Sequence, residues 1–92
     1  MNNKLEWKTN KERQIEIALR IRSQRKALKM SREKLSLLSN VPVPTIRRFE
    51  NTGDISFMSL VAILVVLNHE DDLSYIVKDI NYLNIKDAFK ND

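Results

Sequence analysis

Residues 40–53, NVPVPTIRRFENTG, leave the centre of this chain little freedom. Proline lacks an N–H and fixes φ, so a helix accepts it only in the first turn, where that N–H has no partner anyway. Pro42 and Pro44 therefore mark the start of a helix, and Asn51-Thr52-Gly53 its end. This helix, residues 43–51, begins in a fixed direction with little chain entropy left to lose. Pro42 stands where Ser or Thr would ordinarily cap, so one amide forgoes a side-chain partner. Ile46 and Phe49 fall on one face with Val41 ahead of them, and they turn Val43, Pro44, Arg47 and Arg48 outward.

The rest of the sequence supplies packing partners of the same kind. With 92 residues, one Gly, two Pro and 42% hydrophobic residues, the chain reads as a single compact all-α domain, neither disordered nor a β-sandwich. Asn10 can cap a first helix reaching residue 29, with Glu12 in its first turn and Ile17, Ile21 and Leu28 sharing a face beside Ala18. Ser31 caps a second helix, 32–39, which turns Leu35 to the core. Asn40 tolerates the left-handed backbone that a tight exit requires. The second and third helices are thus joined by one short turn, a recognised supersecondary unit.

Ser56 caps a fourth helix reaching residue 68, with Phe57, Leu60, Val61, Leu64, Val65 and Leu67 apolar. A stripe that wide is core or, where it exceeds what a small domain hides, a dimer surface. A fifth helix, 70–77, offers Leu73, Tyr75, Ile76 and Val77 for burial. In the remaining segment Ile80, Tyr82 and Ile85 alternate as in extended chain, and Asn84 can cap a last turn through Phe89. The expected organisation is an arm over residues 1–10 with Trp7 packed on the domain edge, a domain over 11–78, and a tail over 79–92 that contacts a dimer mate or partner.

Several function classes fall away. Cys is absent, so there is no disulfide framework and no thiolate nucleophile or metal ligand, and the single His69 cannot build a metal cluster. The longest apolar run, residues 60–67, is too short to span a bilayer, and residues 1–13 carry no apolar signal core, so a soluble cytoplasmic protein without a membrane partner is expected. No Gly-rich phosphate loop is present. Glu70-Asp71-Asp72 complement a helix dipole, which accounts for three acids more simply than a magnesium site does. The expectation is a non-enzyme with no cofactor and no metal.

Charge is unevenly divided. Residues 1–50 hold 13 Lys/Arg and 5 Asp/Glu, a net +8, whereas residues 51–92 carry a net −4. A basic half joined to an acidic half fits a polyanion-binding face and a second face with another task, although solvated surface alone would read the same way. Arginine pairs with guanine through two parallel hydrogen bonds, and valine methyls can touch the thymine methyl. Val43, Pro44, Arg47 and Arg48 on one outward face thus suit a DNA major groove.

Taken together, Ile17-x3-Ile21-x3-Arg25, Met30-Ser31-Arg32-Glu33-x-Leu35, Val41-x3-Thr45-Ile46-x2-Phe49-Glu50-Asn51 and Ser56-x3-Leu60 resemble the Xre/Cro family of lambda-repressor-like helix-turn-helix DNA-binding domains. The resemblance implies a five-helix domain with a short C-terminal extension. It implies base-facing roles for Val43, Pro44, Arg47 and Arg48, phosphate contacts for Arg32, Thr45 and Asn51, and a partly buried ion pair between Arg25 and Glu50. Three departures stand out. Pro42 and Pro44 replace polar residues at the helix tip, the 52–54 loop carries Asp54 instead of a cation, and Leu37 and Leu38 occupy usually polar positions. Arg48-Phe49-Glu50-Asn51-Thr52-Gly53, Ile55-Ser56-x3-Leu60 and Glu70-Asp71-Asp72-Leu73 further resemble the HipB-type antitoxins. That narrower resemblance implies a homodimer on a palindromic operator of double-stranded DNA, repression of its own operon, and a HipA-like toxin kinase as partner. The competing expectation is a protein-interaction module that neutralises such a toxin, with DNA binding secondary.

Overall fold

The computed structural model describes residues 8–76. Five helices follow in order: α1 (Asn10–Ala27), α2 (Arg32–Ser39), α3 (Val43–Thr52), α4 (Phe57–Val66) and α5 (Glu70–Leu73), with no strand among the described residues. The expectations for Trp7, Val77 and the 79–92 tail lie outside the described residues.

Helix ends follow local side-chain chemistry. Thr9, not Asn10, caps α1: its Oγ1 accepts from the Glu12 amide while the Glu12 carboxylate accepts from the Thr9 amide, a reciprocal capping box. Asn10 is instead the first helical residue, and α1 stops at Ala27, ahead of Lys29 in a left-handed conformation. Ser31 and Ser56 cap α2 and α4 by accepting from the Lys34 and Ser59 amides. The N-cap of α3 is Pro42, which makes no side-chain cap bond. Asn40 leaves α2 at φ 63°, and Gly53 leaves α3 at φ 83°. A Cβ on Gly53 would come to 3.0 Å from the backbone of Gln14 and Ile15, so this corner needs glycine both for its backbone angle and for the approach of α1. The next helix, α4, lies at 98° to α3.

One core joins the helices: Ala18 and Ile21 of α1, Leu35 of α2, Val41 of the turn, Ile46 and Phe49 of α3, Ile63 of α4, and Leu67 just beyond it. Met30, Ile55, Leu60 and Leu64 pack around it. Each large side chain fully removed from water contributes roughly 1.5–3 kcal/mol. Three expectations need correction. On α1 the buried stripe runs Ala18, Ile21, Arg25, which leaves Ile17 on its flank and Leu28 beyond the last turn, both about half exposed. On α4 the fully buried residue is Ile63, absent from the expected stripe, whereas Phe57 and Met58 are 67% and 80% exposed. That helix is apolar on every side, so periodicity alone does not choose its inner face. The fifth helix ends at Leu73 instead of residue 77, and Tyr75 and Ile76 are exposed.

Candidate nucleic-acid interface

α3 presents opposite chemistry on its two sides. Ile46, Phe49 and Glu50 are buried. Pro44, Arg47, Arg48 and Asn51 are exposed, and Val43 and Thr45 are half-buried. The base-facing candidates therefore share the solvent side of one helix, rigidly started at Pro42 and stopped at Gly53. The turn from α2 is short because Asn40 reverses the chain and the Val41 amide donates to Ser39 Oγ at 3.2 Å.

Glu50 locks this helix to the rest of the domain. Its Oε2 accepts from Arg25 Nε at 2.7 Å and its Oε1 from Arg25 Nη2 at 3.0 Å, a two-point pairing of planar groups. Arg25 Nη1 donates to the Met30 carbonyl at 2.7 Å, which ties in the α1–α2 connection. The Arg25 and Glu50 side chains are 8% and 1% exposed. Burial pushes the Glu50 carboxyl up, but hydrogen bonds and charge from Arg25 and Arg32 outweigh it and hold the group below its ordinary value. A buried pair of this kind adds little net stability while both partners are present, yet it fixes how α3 sits on α1.

Arg32 is the third member of this cluster. The resemblance implies that it grips phosphate, whereas the structure directs its Nε to Glu50 Oε1 at 2.9 Å with 26% of its side chain exposed. The two residues lie 18 positions apart, too far for any local pattern to pair them. Beside the cluster is a hollow of about 310 Å³ lined by Arg22, Arg25, Lys26, Ser31, Arg32, Glu33 and Arg47. Arg22 Nε is buried there without a hydrogen-bond partner among the described residues. Five cations thus border one notch at the junction of α1, α2 and α3, a suitable seat for an anion.

On the other flank of α3 the charges are paired. Lys11 Nζ lies 2.8 Å from Asp54 Oδ1, and Arg48 Nη2 lies 3.4 Å from Asp54 Oδ2. The hydrogen bond from Lys11, ahead of the charges of Lys11 and Arg48, holds the Asp54 carboxyl below its ordinary value. The side chains are 48%, 70% and 40% exposed for Lys11, Arg48 and Asp54, so neither pair is sealed from water. The 53–54 corner is in turn held to α1 by Gln14 Nε2, which donates to the Gly53 carbonyl at 3.3 Å.

The remaining expectations concern α2 and α5. Leu37 is 76% exposed and Leu38 50%, so neither joins the core. Glu70, Asp71 and Asp72 occupy the first turn of α5, where His69 Nδ1 approaches Asp72 Oδ2 at 2.8 Å. Among the described residues no group of three or more such side chains is placed to hold a metal ion, and no single helix is long and apolar enough to cross a membrane.

A model of the helix-turn-helix family HTH_3 matches residues 21–73. The match begins inside α1, contains α2 to α4 whole, and ends with α5. No curated protein and no solved structure matches the chain.

Proposed function

The chain belongs to the helix-turn-helix family HTH_3, and from that premise we propose that it is a sequence-specific transcriptional repressor that reads DNA with the outer face of α3. The observation that carries this reading is the division of α3, with Ile46, Phe49 and Glu50 buried and Arg47 and Arg48 exposed. A rigid cylinder with two guanidinium groups on its free face fits a major groove, and guanine offers each of them a two-point partner. Arg22, Lys26 and Arg32, bordering the notch, are the proposed phosphate-facing cations, with Thr45 and Asn51 flanking. Arg32 serves this role with the nitrogens not engaged by Glu50.

The active form is proposed to be a homodimer on a palindromic operator. Two-fold symmetry would set two copies of α3 about one DNA turn apart, roughly 34 Å. Occupation of a promoter then blocks polymerase sterically, and no catalytic step is needed.

Binding to a duplex recovered by selection from random DNA tests this. Arg47→Ala and Arg48→Ala are each expected to weaken that complex by about 1–3 kcal/mol and to relax one base position. Fluorescence anisotropy against selected and random duplexes measures both effects. Equal losses on both duplexes would mean that these side chains meet only phosphate, and base reading by α3 would be wrong.

One observation favours a second role. Leu37 on α2 is 76% exposed, an apolar side chain left in water, and α5 carries three acids in its first turn. This suits an antitoxin that also holds a HipA-like kinase. Leu37→Lys is then expected to abolish co-purification of a partner from the native host while leaving DNA affinity intact. Undiminished co-purification would remove Leu37 from any such surface.

A further inference from the structure

Asp54 is a carboxylate set among the cations of the proposed DNA face, and its position is built rather than incidental. Its amide donates to Thr52 Oγ1 at 3.2 Å, and that hydroxyl donates to the Arg48 carbonyl at 2.7 Å. Gly53, at φ 83° and tied to Gln14, fixes the corner that carries it. From there its two oxygens separately engage Lys11 of α1 and Arg48 of α3. Asp54 and Arg48 border a hollow of about 730 Å³, with Gln14, Pro44, Thr45 and Ser59 also on its walls. This hollow flanks the helix face assigned to the groove, where a DNA backbone would pass. A carboxylate there does two things to an approaching phosphate: it repels it, and it occupies two cations that would otherwise receive it.

We propose that Asp54 acts as a resident substitute for DNA phosphate, holding Lys11 and Arg48 in the free protein and so restraining sequence-independent binding. Solvent-exposed ion pairs of this geometry are weak, so a duplex can displace the carboxylate. Displacement exchanges one anion for another, with little net counterion release from these two cations. A site whose bases reward Arg48 gains a contact that the carboxylate does not supply, whereas random DNA gains none. Asp54 is in this sense a positioning residue for Arg48 that raises discrimination by lowering background affinity. The inference rests on the DNA-binding reading above.

The test is a salt titration of binding to a random duplex and to the selected site, with wild type, Asp54→Asn and Asp54→Glu. Each phosphate contact adds about 0.9 to the slope of log affinity against log salt, which corresponds to roughly tenfold in affinity at 0.1 M salt. Asp54→Asn is expected to steepen the slope by one to two such contacts, and to strengthen random-duplex binding by about tenfold or more. Asp54→Glu keeps the charge and is expected to restore wild-type behaviour. A purely structural role would shift the urea midpoint without altering the salt slope, and that result would overturn the proposal. So would weaker binding by Asp54→Asn, which would make the carboxylate a support for Arg48 on DNA. Wild type that binds no duplex even at low salt would defeat the DNA-binding reading itself, and this proposal with it.

Discussion

Glu50→Ala is expected to lower the unfolding free energy by about 3–5 kcal/mol, because it strands charge in the interior. Its carboxylate is 1% exposed and accepts from both Arg25 and Arg32. Alanine leaves Arg25, itself 8% exposed, with no counter-charge and two unsatisfied donors. Small domains are stable by about 5–15 kcal/mol in total, so a large share of the fold's margin is at stake. Urea unfolding followed by circular dichroism reads the loss directly. Replacing all three charged groups together, with Arg25→Met, Arg32→Met and Glu50→Leu, is expected to be far milder, since the desolvation penalty goes with the charges.

The same carboxylate makes stability depend on pH. Its folded value lies below the ordinary glutamate value, so it binds a proton less readily folded than unfolded. Its contribution is therefore complete above the unfolded value of about 4.3, and is lost as pH falls from there through the lower folded value. Glu50→Gln should flatten that acid limb. An unchanged acid limb in Glu50→Gln would show that the pair does not carry the pH dependence.

Phe49→Ala is the second large effect, expected to cost about 3–5 kcal/mol through a cavity between α3 and the core. Phe49 is 2% exposed and sits one residue before Glu50, so helix α3 contributes adjacent apolar and ionic anchors. The contrast is Phe57→Ala: Phe57 is 67% exposed, and its removal should change stability by less than about 0.5 kcal/mol. Equal losses at the two positions would mean that the core is not where this structure places it.

What could be read from residues alone was whatever depends on neighbours in sequence. Pro42, Pro44 and Gly53 punctuate α3 through their own backbone restrictions, and Ile46 and Phe49 fix its inner face by spacing. The Thr9-x-x-Glu12 capping box was equally local, and Asn10, an equally good capping type one position on, masked it. The inner face of α4 was not legible, because a helix apolar all round carries no phase, and only packing selects Ile63 over Val61 or Val65. The Arg25–Glu50 pair was expected from the family resemblance, whereas the addition of Arg32 to it and the Lys11–Asp54 contact join residues 18 and 43 positions apart and were not. Charge balance hinted at a basic face and the 52–54 departure marked Asp54 as an acid beside it, but neither indicated that Asp54 would engage Lys11 and Arg48.

Guanine N7 lies on the major-groove edge, where Arg47 and Arg48 are proposed to bond, so methylation interference at that atom tests the central claim most directly. On the selected duplex, N7 methylation of at least one guanine in each half-site should abolish binding by wild type, and Arg47→Ala or Arg48→Ala should erase the interference at that guanine. Wild-type binding that is indifferent to N7 methylation throughout the site, or blocked only by minor-groove modification, would contradict recognition through the outer face of α3.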